Sequence, residues 1–347
     1  MVCQSLSRPG TPGRGNMKLS FIVNGLSSTC LLIVLGCAAG NTNSDAAAPL
    51  KRDLTTADVE GMMTSLSNWG RWGKDDELGA LNLITAEKRR QAAELVSEGV
   101  SVSLSRNAIK EPVDSSAPFE HTTQVNPTSA GDEYSVKYHG FTQTHMDALC
   151  HLFHNGKMYN GYSMNEVTEK GAAKLSVVNF KNGVFTRGVL MDIPSLLGKD
   201  YLDGARAIYP EDLDAWEAKS GVRVQKGDAV LIHTGRWTRR AKEGTWEIMQ
   251  GSAGLHASCL PWLRKRDVAI VGSDLALDVM PSGIEGFPLP VHWVLIVAMG
   301  TPILDNMDLE ALSAEAARQG RWEFLLTAAP LAVEGGTGSP LNPIATF

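Results

Sequence analysis

Val100-Ser-Val-Ser-Leu104 alternates apolar and polar positions with period two and predicts a strand. Three continuous apolar runs, at 188–193, 229–233 and 268–274, follow turn or polar residues and predict buried strands. Helical signals lie between and before them. Thr56-Ala-Asp-Val-Glu opens a helix that the segment from Ser67 through Gly70-Arg-Trp-Gly73 closes. Thr85 caps a second helix over 86–98, with Ala92, Leu95 and Val96 on one face and Gly99 as its stop. Further helices are predicted over 211–219, 257–264 and 291–299, the last ending at Gly300 before a strand over 301–305. Strands alternating with helices predict one α/β domain with a mixed sheet and flanking helices over 55–347.

Composition narrows the class. The chain has 347 residues, 43% apolar and 20% charged, as a soluble globular protein does. A formal charge of −6 lacks the basic surplus that phosphate backbones require, so no nucleic-acid partner is expected. Residues 1–37 read as an over-called start plus a leader: Met17-Lys18 is a second start, and Leu31-Leu-Ile-Val-Leu35 is an apolar centre too short to span a bilayer. Leu35-Gly-Cys37 resembles a bacterial lipoprotein signal, which implies export and a lipid on Cys37. An ordinary secretory signal to the periplasm or exterior is the alternative. Residues 38–54 are small and polar, a flexible tether. Cys150 and Cys259 are expected as free thiols, since no disulfide framework is visible.

Four of eight histidines fall between 139 and 154, with Asp147 among them. Imidazole plus carboxylate is the donor set for Zn²⁺ or Mn²⁺. His145 and Asp147, two apart, share one face of an extended strand. His151 follows four residues later and reaches the same pocket, where it acts on water activated by the ion.

The segment Thr144-His-Met-Asp-Ala-Leu-Cys-His151 resembles the signature of the cyclase family of metal-dependent hydrolases, which includes kynurenine formamidase, isatin hydrolase and trans-dienelactone hydrolase. The resemblance continues through Arg187-Gly-Val-Leu-Met-Asp-Ile-Pro194, Lys226-Gly-Asp-Ala-Val-Leu-Ile-His-Thr-Gly235, Val271-Gly-Ser-Asp274, Leu289-Pro-Val-His292 and Glu334-Gly-Gly-Thr-Gly-Ser-Pro340. Trp69-Gly-Arg-Trp-Gly-Lys-Asp-Asp-Glu-Leu-Gly-Ala-Leu-Asn82 looks like the family's longer branch. The resemblance implies a swivelling β/β/α fold, a homodimer, and hydrolysis of a small amide or lactone such as an aryl formamide, the reaction of tryptophan catabolism. It implies His145 and Asp147 as metal ligands, His151 as the catalytic histidine, His292 as a second-ion ligand, and Asp305 where formamidases carry glutamate. One or two ions per chain are expected, one tight ion being favoured.

Two departures matter. The family's first histidine belongs four residues before His145, where this chain has Phe141; His139 stands six before. Either Gln143 substitutes, or a bend at Gly140 loops His139 in. Asp305 is one methylene shorter than glutamate. Phe141, Trp69, Trp72 and Asp274 are candidate substrate contacts, the tryptophans by stacking. His154, His233 and His256 are expected to be structural or peripheral. Two rival readings remain: a Cys150–His151 nucleophilic hydrolase, and a non-enzymatic metal- or ligand-binding lipoprotein.

Overall fold

Strands that read as unbroken apolar runs are those covered on both faces, and the three such runs lie in the centre of the sheet beside a fourth parallel strand. The computed structural model describes residues 51–113 and 116–347; the expected leader, Cys37 included, and most of the tether lie outside the described residues. Val184–Asp192, Ala229–His233, Ile270–Ser273 and Ile303–Asp305 run parallel in that order. Antiparallel strands flank them. On one side are Glu323–Ala328, Ile344–Thr346 and Ser101–Ser103; on the other are His145–Asp147 and Gly338–Pro340. The nine-stranded mixed sheet and its helices give the expected α/β fold.

Alternate residues of the central strands go to opposite faces. Val189, Met191, Val230, Ile232, Val271 and Ile303 pack with Leu213, Trp216 and the apolar run 294–299. Leu190, Ala229, Leu231, Ile270 and Leu304 pack with Met146, Phe324 and Leu326 on the other side. Asp305 pairs with His145, and Ile303 with Asp147. The polar ends of these two strands therefore share the face of Ile303, while Met146 and Leu304 anchor both strands from behind.

Helix Thr56–Ser65 starts where expected, its first turn capped by Thr55 and Asp58. The helix expected over 86–98 stops at Ala93, because the backbone N–H groups of Glu98 and Gly99 turn to the Phe347 carbonyl. The run expected as a helix over 291–299 is α-helical only at Pro290–Trp293; Val294–Met299 widens into a π-helix, ended by Gly300 with φ 62°. The hairpin Glu120–Asn126 with Ser129–Ser135 was not expected. Its residues are all exposed, so no apolar face announces it in the sequence. Among the described residues no helix is long and apolar enough to cross a membrane.

His233, at the end of a central strand, is structural as expected. Its Nδ1 lies 3.1 Å from Asp192 Oδ1 and its Nε2 2.6 Å from Glu310 Oε2. Burial opposes the imidazolium, but these carboxylates and Asp274 outweigh it and raise the pKa to about 10. A raised folded pKa gives stability that is fully present below the unfolded value of about 6.5 and is lost as pH climbs through the folded value. Wild type should therefore lose melting temperature between pH 7 and 9, and His233→Gln should show a shallower slope over that window. Equal slopes would remove the charge from His233.

Candidate metal centre

The site is built on the strand His145–Asp147, where every residue is buried. The period-two backbone brings both side chains to one face, and His145 Nε2 lies 3.4 Å from Asp147 Oδ1. His145 Nδ1 sits 2.8 Å from the Gln143 carbonyl, which accepts its proton and leaves Nε2 with a lone pair aimed at the carboxylate. The antiparallel neighbour adds Asp305 on the same face.

His139 is looped in. Gly140 takes φ 153°, and His139 Nδ1 comes 2.9 Å from Asp147 Oδ1. Its Nε2 is 3.0 Å from Thr337 Oγ1, which fixes the ring. Gly338 makes room, since a Cβ there would lie 3.0 Å from His139 Cε1 and 2.5 Å from the Met146 carbonyl. The Glu334–Pro340 loop is thus a wall of the site. Gln143, the alternative ligand, has its amide Nε2 donating to the Ile109 carbonyl.

His151 stacks on His139 with ring centroids 3.9 Å apart, and its Nε2 is 4.0 Å from Asp147 Oδ2. Two donor groups therefore overlap on one carboxylate: His139, Asp147 and His151, and His145, Asp147 and Asp305, each within 4.8 Å. His292 stands behind Asp305. Its Nε2 is 3.0 Å from Asp305 Oδ2 and its Nδ1 2.8 Å from Asp278 Oδ2. There Nε2 faces the Asp305 carboxylate, Nδ1 is taken by Asp278, and His292 falls in neither donor group.

The donor set fits a divalent cation. Asp147 Oδ1, Asp305 Oδ1 and His139 Nδ1 are buried and make no hydrogen bond. The 2.9 Å separation of His139 Nδ1 from Asp147 Oδ1 is close enough for one but lacks the angle. Buried polar atoms without partners are costly, and a cation held in either donor group satisfies Asp147 Oδ1 together with His139 Nδ1 or Asp305 Oδ1. Charge agrees. Burial works against the Asp147 carboxylate, yet His151, His139 and His145 hold its pKa well below the usual range. Burial lowers the His151 ring to about 4 against the pull of Asp147, so the ring is neutral at pH 7. For His145 and His292, burial is outweighed by Asp147 and by Asp305 with Asp278, and both pKa values rise.

Other candidates lie elsewhere. The Asp274 carboxylate is taken up by Thr234 N, Thr234 Oγ1, Gly235 N and Arg236 N, so it organises a turn. Trp69 donates its indole N–H to the Val297 carbonyl and lines a separate hollow of about 470 Å³ with Glu60, Met63 and His154. Trp72 packs into the core under Arg71. Cys150 and Cys259 are free and buried. Burial pushes the Cys150 thiol up to about 12, which works against the thiolate that a Cys–His nucleophile needs. Asp278, Thr337, Asn306 and Arg236 were missed. They touch ligands or their loop only through space, and no spacing motif marks them.

The profile of a family described as putative cyclase matches residues 94–278. The crystal structure of a novel cyclase is 31% identical, with TM-score 0.74, over 82% of this chain and 99% of its own. Isatin hydrolase A from Labrenzia aggregata is 21% identical, with TM-score 0.54, over 73% of this chain and 94% of its own. An isatin hydrolase bound to the product analogue thioisatinate is 19% identical, with TM-score 0.53, over 75% and 98% respectively. No curated protein matches the chain in sequence.

Proposed function

Because the chain belongs to the putative cyclase family, we propose that it is a metal-dependent hydrolase that opens the acyl bond of a small, aryl-bearing amide or lactone. One observation carries this reading: two donor groups share Asp147, whose buried Oδ1 has no hydrogen-bond partner. His139, His145, Asp147 and Asp305 are the residues that would hold zinc or manganese, with His151 at the rim. Such a cation supplies Lewis-acid polarisation of a carbonyl and acidifies water toward a pKa of about 7.

The chain's own groups do the rest. His151 enters the reaction neutral and takes a proton at Nε2 from the attacking water. Asp147, opposite that nitrogen at 4.0 Å, stabilises the imidazolium formed. The imidazolium then returns the proton to the leaving nitrogen or oxygen, so no covalent intermediate is needed. Phe141, Trp246 and Leu289 form a half-buried apolar wall over Ile248, Leu275 and Met280. Phe141 sits in the loop between His139 and His145, and Leu289 is three residues before His292. That wall suits a flat aromatic group.

The test is a hydrolysis panel of aryl formamides, isatin-type cyclic amides and aryl lactones, set beside aliphatic counterparts. An aryl substrate should win by at least tenfold in kcat/KM. Hydrolysis with no aryl preference would sink the substrate class. Stoichiometric metal with no hydrolysis anywhere would favour a binding protein instead.

A further inference from the structure

His139 and His145 are six positions apart, and extended they would lie about 20 Å from each other. His139 nonetheless closes on Asp147 at 2.9 Å. The chain between must therefore be held in a tight bulge, and ordering those residues costs backbone entropy. Two buried side chains hold it. The Arg236 guanidinium donates from Nη2 to the Phe141 carbonyl and from Nη1 to Asn306 Oδ1 at 2.8 Å. Asn306 Nδ2 donates to the Gly140 carbonyl at 2.8 Å and to the Gln143 carbonyl at 3.2 Å. Three of the four bulge carbonyls are thus bonded by this pair. The Gln143 carbonyl is also the acceptor that orients His145.

The clamp itself is anchored in the fold. Asn306 follows the last ligand-bearing residue, Asp305, in a left-handed conformation with φ 54°. Its N–H bonds the Leu275 carbonyl at 2.9 Å and its carbonyl accepts from Thr144 Oγ1 at 2.7 Å. Arg236 is 2% exposed, lies over the Trp237 ring at 4.1 Å, and has its backbone N–H on Asp274. A guanidinium is costly to bury, and here its fork spans the Phe141 carbonyl of the bulge and the Asn306 side-chain carbonyl, which a lysine ammonium cannot match.

We propose that Arg236 and Asn306 are positioning residues that fold the 140–143 bulge so that His139 becomes a ligand of the same ion as Asp147. The inference rests on the metal-dependent reading above. It gives this chain's longer spacing a function: the clamp replaces what a histidine four residues before His145 would do directly.

The test is a double-mutant cycle in zinc affinity, measured by competition with a chromophoric chelator, with apoprotein melting temperature alongside. Arg236→Lys and Asn306→Gly should each weaken zinc binding by roughly 10–100-fold, as loss of an outer-shell partner does. In a His139→Ala background the same changes should cost under about threefold, because the ligand they position is gone. Should Arg236→Lys fail to fold, Asn306→Gly, whose glycine keeps the left-handed backbone, carries the cycle. Equal penalties in both backgrounds, or a lowered melting temperature with zinc affinity unchanged, would overturn the inference alone. Wild type that takes up no zinc would overturn the metal reading and this inference with it.

Discussion

Asp147→Ala should empty the centre and abolish hydrolysis together. Asp147 is the only residue common to both donor groups, so its loss strips a ligand from each. It also leaves His139, His145 and His151 facing one another without the carboxylate that all three approach. Metal per chain after dialysis should fall below about a tenth of the wild-type value, since ligand loss and binding free energy are directly linked. The rate should fall by about 10³-fold or more, roughly 4 kcal/mol of barrier at about 1.36 kcal/mol per decade. A variant that keeps its metal would place the ion elsewhere.

His151→Ala should separate the two properties. A general acid–base group contributes about 10²–10⁴-fold to rate, so kcat should fall by that range while metal content stays near wild type. The geometry makes this a sharp question. His151 stacks on His139 and is close enough to share a cation with it, yet its Nε2 is 4.0 Å from Asp147, the longest of the three histidine separations. A ring that burial holds neutral can serve as base or as ligand. If Asp147→Ala and His151→Ala lose metal equally, His151 is a ligand and the proton must be taken by another group.

Much of this centre was legible before any coordinates. His145 and Asp147 were readable because a strand alternates and their spacing is two. Three of the four central strands were readable because each contains a continuous apolar run. The bulge was not. Gln143 lay nearer to His145 than His139 did, and only the turn at Gly140, held by Arg236 at the start of a helix and by Asn306 just after the strand Ile303–Asp305, decides between them. Gly338–Pro340 was hidden for a related reason: glycine and proline are poor strand formers, tolerated here because the strand is an edge and His139 needs the space. His292 was placed in the site by resemblance, but its hydrogen bond to Asp278 became visible only when the helix at Pro290–Trp293 was packed.

The most direct measurement is the metal content of purified wild type after extensive dialysis, followed by hydrolysis of the best panel substrate before chelation, after chelation, and after zinc or manganese is returned. The account predicts at least one tightly held divalent ion per chain, activity lost with the ion, and activity restored by adding it back. Full hydrolysis by protein shown to be metal-free would contradict it.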